Sequence, residues 1–162
     1  MHNILALNDR AIAAFLVSQG VTVPVYPFKR SLGKALPCVI VHSRKGNPIA
    51  PFGAVVEIEC DIIVRSEACV DYGAQDSDPI SQNDSLISSV MSALHKFGDG
   101  EQSGGDLADA ITDAARAADV DTYTCESVGI QSIEASVESG GDSSAWTDVI
   151  TLMVAACPSN VS

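Results

Sequence analysis

A chain of 162 residues has the length of one domain and can bury one substantial core. Apolar residues make up 46% and aromatics only 5%, so the core must be built from Val, Ile, Leu and Ala, with few rings on which bases or sugars could stack. The net charge of −12 argues against nucleic acid as an affinity partner, because phosphate binding is driven by Lys and Arg.

The charge is unevenly placed. Residues 1–70 carry seven basic and five acidic side chains, whereas residues 71–162 carry two and sixteen. The five cysteines, Cys38, Cys60, Cys69, Cys125 and Cys157, are scattered without a C-x-x-C pair. That distribution predicts reduced and mostly buried thiols, with Cys60 and Cys157 serving as small hydrophobes inside apolar runs. The polar residues His2, Asn3, Asn8, Asp9 and Arg10 interrupt any signal-peptide pattern. No run approaches the roughly 20 apolar residues of a membrane span, so a protein made and folded in cytoplasm is expected.

In chain order, Ile12, Phe15, Leu16 and Gln19 recur at helical spacing and predict an amphipathic helix over 8–19. Either Asn8 caps it or it begins earlier, near Asn3, and Gly20 supplies a left-handed residue to close it. Val21 to Tyr26, with Pro24 inside and Pro27 after, reads as a short segment at a sheet edge. A basic loop carries Lys29, Arg30 and Lys34. Cys38 to His42 predicts a continuously apolar strand, and Arg44-Lys45-Gly46-Asn47-Pro48 predicts the turn after it.

The strand over 55–65 is the clearest element. Val56, Ile58, Cys60, Ile62 and Val64 alternate with Glu57, Glu59 and Asp61, a period of two that predicts an antiparallel sheet with one buried and one wet face. Asp78-Pro79 then offers an N-cap and a first helical proline, and Ile80, Ile87, Val90, Met91, Leu94 and Phe97 predict a helix ending at Gly98. Residues 98–106 read as a glycine-rich loop, and Leu107, Ile111, Ala114 and Ala118 as a weaker helical stripe; together 98–126 read as an inserted loop and helix. A hairpin follows. Ile133, Ala135 and Val137 share one face of its first strand and Glu134 and Glu138 the other, its second strand runs over 146–157, and 139–144 form the turn. The fold class expected is α+β: one domain over 1–158 with a single antiparallel or mixed sheet, a C-terminal hairpin, two main helices and a weaker inserted one, then a tail at 159–162.

No chemistry-bearing motif emerges. His2, His42 and His95 are far apart and outside metal-ligand spacing, no G-x-S-x-G elbow occurs, and neither Gly104-Gly105 nor Gly140-Gly141 fits a phosphate cradle. No cofactor, metal or catalytic residue is therefore assigned. Neighbours in the trio Glu57, Glu59 and Asp61 stand roughly 7 Å apart along one strand face, a spacing compatible with acid–base work. Three like charges in a row are more simply a solvated face, or an acidic wall that repels a passing polyanion.

Several segments together carry a family resemblance: the N-terminal helix ending in Gly20, VTVPVYP, LPCVIVHS, GAVVEIECDIIVRS, the helix DSLISSVMSALHKF, and the closing VGIQSIEASVESGGDSSAWTDVITLMVAA hairpin. Their order and texture resemble the tail terminator or tail-completion (neck) proteins of tailed bacteriophages. The resemblance implies a virion protein, assembled in the host cytoplasm, that forms a homo-oligomeric ring, typically of six subunits. Such a ring ends the tail tube, joins it to the neck connector and lets DNA pass without specific binding through an acidic lumen. Glu57, Glu59, Asp61, Glu134 and Glu138 would then be candidates for the channel wall. Lys29, Arg30, Lys34, Arg44 and Lys45 would meet acidic surface on a neighbouring subunit, tube protein or connector; a solvated surface is the plain alternative for both sets. The other functional readings are a head-closure protein of related fold, a small acidic ligand-binding domain or enzyme with a pocket lined by Glu57, Asp61, His42 and His95, and a monomeric DNA mimic.

Overall fold

The computed structural model describes residues 3–27, 37–49, 54–68, 79–95, 103–140 and 143–158. The chain is an α+β fold in which three helices accompany one mixed five-stranded sheet: α1 (Ile4–Ser18), β1 (Val25–Pro27), β2 (Cys38–Pro48), β3 (Val56–Ala68), α2 (Pro79–His95), α3 (Ser103–Ala117), β4 (Tyr123–Gly140) and β5 (Ser143–Pro158). The strand order is β1-β2-β3-β5-β4, with β1 parallel to β2 and every other pairing antiparallel.

Asn3, not Asn8, starts α1. Its side-chain Oδ1 accepts from the amides of Leu5 and Ala6 at 3.1 and 3.5 Å, satisfying donors that have no partner inside the first turn. Gly20 closes the helix at a φ of +88°, the left-handed conformation that a Cβ disfavours. Ala11, Ile12, Phe15 and Leu16 are buried against the sheet, each large side chain contributing about 1.5–3 kcal/mol of burial.

The expected turn at 44–48 is instead strand. β2 runs on to Pro48 and absorbs Arg44 as a bulge, where the register with β3 shifts between Ser43 and Lys45. Gly46 makes this continuation possible: a Cβ there would lie 2.9 Å from Val56 Cγ1 and 3.1 Å from Leu5 Cδ2. The chain turns back only beyond Ile49, whose amide donates to Val55 O.

β3 carries the predicted alternation into space. Ile58, Cys60, Ile62 and Val64 are fully buried on the helix-covered face, beside Val39 and Val41 of β2 and Ile150, Leu152 and Val154 of β5. α2 begins at Pro79 as expected and buries Leu86, Val90, Ala93 and Leu94; the proposed cap Asp78 and the stop at Gly98 lie outside the described residues.

α3 begins earlier than expected, at Ser103, inside the glycine-rich stretch. The cost of glycine, about 1 kcal/mol each in a helix interior, is small in a first turn and is outweighed by burial of Leu107, Ala108, Ile111, Thr112 and Ala115. This stripe differs from the expected one, since Ala118 is exposed. α3 belongs to the same apolar cluster as α1 and the sheet. It ends with Asp119 in the left-handed region, φ 61°, and the Val120 amide donating to Ala115 O at 2.8 Å.

One buried polar relay crosses this interface. Tyr123 OH donates to Asn8 Oδ1 (2.6 Å), Asn8 Nδ2 to Ser43 Oγ (2.9 Å), and Ser43 Oγ to Asp9 Oδ1 (2.6 Å), which also accepts from the Ser43 amide at 2.6 Å. The relay ties α1, β2 and β4 together with every donor matched to an acceptor, as burial demands.

Candidate functional site

Among the described residues the helices pack on the face holding Ile58 and Ile62, so the residues between them point to the other face, where Cys38, Ile40, Asp61, Thr147 and Thr151 are nonetheless buried and Glu57, Glu59 and Glu134 are partly or fully exposed. The register carries that face across the sheet: Ile63 of β3 pairs with Val149 of β5, and Val149 with Glu134 of β4. Glu57, Glu59, Asp61 and Glu134 therefore share one face, Glu134 two strand spacings from β3, roughly 10 Å. Glu138 stands four residues beyond Glu134 in β4, in register with Ala145.

The acids on this face are not equivalent. Asp61 is only 8% exposed, and its carboxylate accepts from Arg44 Nε at 2.6 Å and from Thr151 Oγ1 at 2.9 Å. The same guanidinium reaches Glu59 at 3.6 Å. The β2 bulge explains the geometry, because it turns Arg44 over its neighbour strand rather than away from it. Arg44, expected at a partner's surface, is thus engaged within its own chain. Among the described residues Glu57 and Glu134 make no ion pair, but Arg65, opposite Thr147, and the exposed Lys45 share this face, so its charge is mixed.

Lys45 is exposed and faces Glu59 across the β2–β3 ladder. Lys29, Arg30 and Lys34 lie outside the described residues. The sequence reading separated acids and bases into two sites, whereas Arg44 and Lys45 lie on the acidic face itself.

The pocket required by the enzymatic reading does not assemble among the described residues. Two open grooves flank α2, one lined by Gln19, Gly20, Val21, Ser88, Ser89 and His95, the other by Thr22, Val23, Pro37, Ser66, Ser85 and Leu86. His95 borders the first, while His42, Glu57 and Asp61 belong to the opposite face of the sheet. Among the described residues no group of three or more His, Cys, Asp or Glu is placed to hold a metal ion, and no helix is long and apolar enough to cross a membrane.

Among the described thiols Cys38, Cys60 and Cys125 are buried and Cys157 is not, while Cys69 lies outside the described residues. Burial raises Cys60 far above the ordinary thiol range and pushes Cys125 up to about 12, so both keep their protons at neutral pH. Cys157, expected in the core, pairs in register with Thr124 on the helix-free face and donates to Glu126 Oε1 at 3.7 Å. Its strand alternates as predicted, but Ala156 takes the core position.

The sequence reading missed the buried pair Asn8 and Asp9. A signal was present: Asn8 lies four residues before Ile12 and Asp9 three, so both fall on the helix face that Ile12 and Phe15 mark as buried. Asp9 is 3% exposed, and burial raises its pKa despite the opposing hydrogen bonds from Ser43 and the nearby His42. No protein-family model matches the chain and no curated protein matches it, so the helix-free acidic face has to be interpreted from its own chemistry.

Proposed function

We propose that this protein is a structural component of a tailed-phage virion, a tail-terminator-like subunit. It assembles into a homo-oligomeric ring, a hexamer if it follows the family it resembles, that ends the tail tube and joins it to the neck. The observation that carries the reading is the gathering of Glu57, Glu59, Asp61 and Glu134 on the sheet face away from the described helices, around a part of that face, Cys38, Ile40, Thr147 and Thr151, that is buried. A ring that turns this face inward has a lumen that repels the phosphate backbone, so DNA passes without adhering. Arg44, Lys45 and Arg65 offset part of that charge, and the repelling role falls to Glu57 and Glu134, unpaired among the described residues.

Under this reading the tube protein and the neck connector are the partners. Lys29, Arg30 and Lys34 supply the basic side of the contacts, and the acidic residues after position 70 supply the other. Rings join two different patches head to tail, and a chain with an uneven charge distribution suits such a contact.

Native mass spectrometry with negative-stain imaging, alone and with tail-tube protein, tests the proposal. A closed ring under either condition is the expected result. A persistent monomer in both would contradict it.

A further inference from the structure

An antiparallel sheet exposes unpaired backbone groups at its edges, and folded chains ordinarily block them. Among the described residues, three of the four edge stretches of this sheet are blocked. β1 is only three residues long, and Pro24 and Pro27 limit its donors. Where β2 runs past β1, the Ser43 amide is taken by Asp9 Oδ1 and Pro48 has no amide hydrogen. At the start of β4 the Cys125 amide donates to Thr112 Oγ1 of α3 at 3.0 Å, and bulges at Glu126 and Gln131 interrupt the strand.

Among the described residues, the fourth stretch, Ser132 to Gly140, has none of these devices. Its register with β5 runs unbroken from Ser132–Thr151 to Gly140–Ser143, and among the described residues no hydrogen bond reaches its outer side. In an antiparallel pair, residues turn their amides alternately toward and away from the partner. Cys125, opposite Ala156, turns outward to Thr112, so Ile133, Ala135 and Val137, opposite Ile150, Asp148 and Trp146, turn outward too. Ile133 is also 54% exposed, on the face where its ladder partner Ile150 is fully buried.

We infer that β4 from Ser132 to Gly140 is a docking edge that accepts an extended segment of another protein bearing Lys or Arg at alternate positions. Charge chooses the occupant. No Lys, Arg or His occurs anywhere after Arg116, while Glu134 and Glu138 sit four residues apart in the edge stretch. A strand with basic residues at every second position sets a cation beside Glu134 on one face and lays its remaining side chains over Ile133 on the other. A second copy of this chain fits poorly: its own β4 brings Glu134 and Glu138 against like charges, and its β2 edge is already blocked. The inference does not rest on the ring reading, since it requires only a folded hairpin.

The test uses a fluorescein-labelled peptide, Lys-Val-Lys-Thr-Lys-Val-Lys, with fluorescence anisotropy as readout and the Glu-for-Lys peptide as control. The native chain binds the Lys peptide at least about tenfold more tightly than the Glu peptide. Ala135→Pro removes one outward amide without touching the ladder to β5, and it weakens Lys-peptide binding by about tenfold with the chain's charge unchanged. Should Ala135→Pro fail to fold, as judged by circular dichroism, the double variant Glu134→Lys with Glu138→Lys takes its place and reverses the peptide preference. No measurable binding by the native chain overturns the inference. So does a folded Ala135→Pro that binds as tightly as the native chain, which would reduce the effect to charge attraction without strand pairing, and so does an unreversed preference in the double variant.

Discussion

The two faces of the sheet are made from the same strands and do different work. On the helix-covered face Ile58, Ile62, Ile150 and Leu152 are sealed under α1, α2 and α3, and the polar groups buried there include the Tyr123–Asn8–Ser43–Asp9 relay and Thr112, each held by hydrogen bonds. On the second face, strand residues one position away carry Glu57, Glu59, Asp61, Arg44 and Lys45. In the first half of β3 alternation separates stability from surface chemistry, whereas β2 buries Cys38 and Ile40 on the second face as well. A substitution's cost follows from the burial of its own position as well as from its face.

The sharpest break in that contrast comes from paired truncations in β3. Ile62→Ala should cost about 3 kcal/mol in chemical denaturation, because the surrounding side chains cannot fully close the cavity. Glu57→Ala, five residues earlier on the other face, should stay within about 0.5 kcal/mol of the native chain. Equal costs at the two positions would dissolve the distinction.

Tyr123→Phe tests the relay and ranks next. It leaves Asn8 Oδ1 buried without its donor, and a loss of about 2 kcal/mol is expected in the same denaturation measurement. Arg44→Ala, on the second face, removes the cation beside Asp61 but from a half-exposed site. About 1 kcal/mol is expected, falling as salt is added.

The mildest effect is a slope. The native state raises the Asp9 pKa above its ordinary value of 3.8, so between 3.8 and the raised value the folded chain binds more protons than the unfolded one. Asp9's contribution is therefore fully present below pH 3.8 and is lost as pH rises through the raised value. Asp9→Asn, whose carbonyl oxygen can still accept from Ser43, should flatten that part of the stability profile measured by denaturation at stepped pH.

Where one signal governs a segment, the sequence was sufficient: β3 has a clean period of two, and α2 a helical stripe behind Pro79, so both took their expected places. It failed where tertiary contacts overrode local chemistry. Arg44 to Pro48 has turn composition, yet Gly46 lets β2 lie close to Val56 and Leu5, and Arg44 finds Asp61 and Glu59 across the ladder. Ser103-Gly104-Gly105 looks like loop, yet the burial of Leu107 and Ile111 draws the helix back through it. The acids of the candidate face were legible strand by strand. That β3 and β4 present them together was not, because the order β3-β5-β4 is decided by pairing between segments some 70 residues apart. Asn8 escaped notice for a similar reason, since its partners Ser43 and Tyr123 are distant in the chain.

The central claim is that the acidic face keeps DNA from adhering inside a ring. Its most direct test is duplex-DNA binding, by electrophoretic mobility at several salt concentrations, of the native chain and of Glu57→Lys with Glu134→Lys, both first shown to be folded and assembled. The account predicts no retardation by the native ring and salt-sensitive retention by the charge-reversed one. A charge-reversed ring that assembles and still ignores DNA would place these carboxylates away from the channel and contradict it.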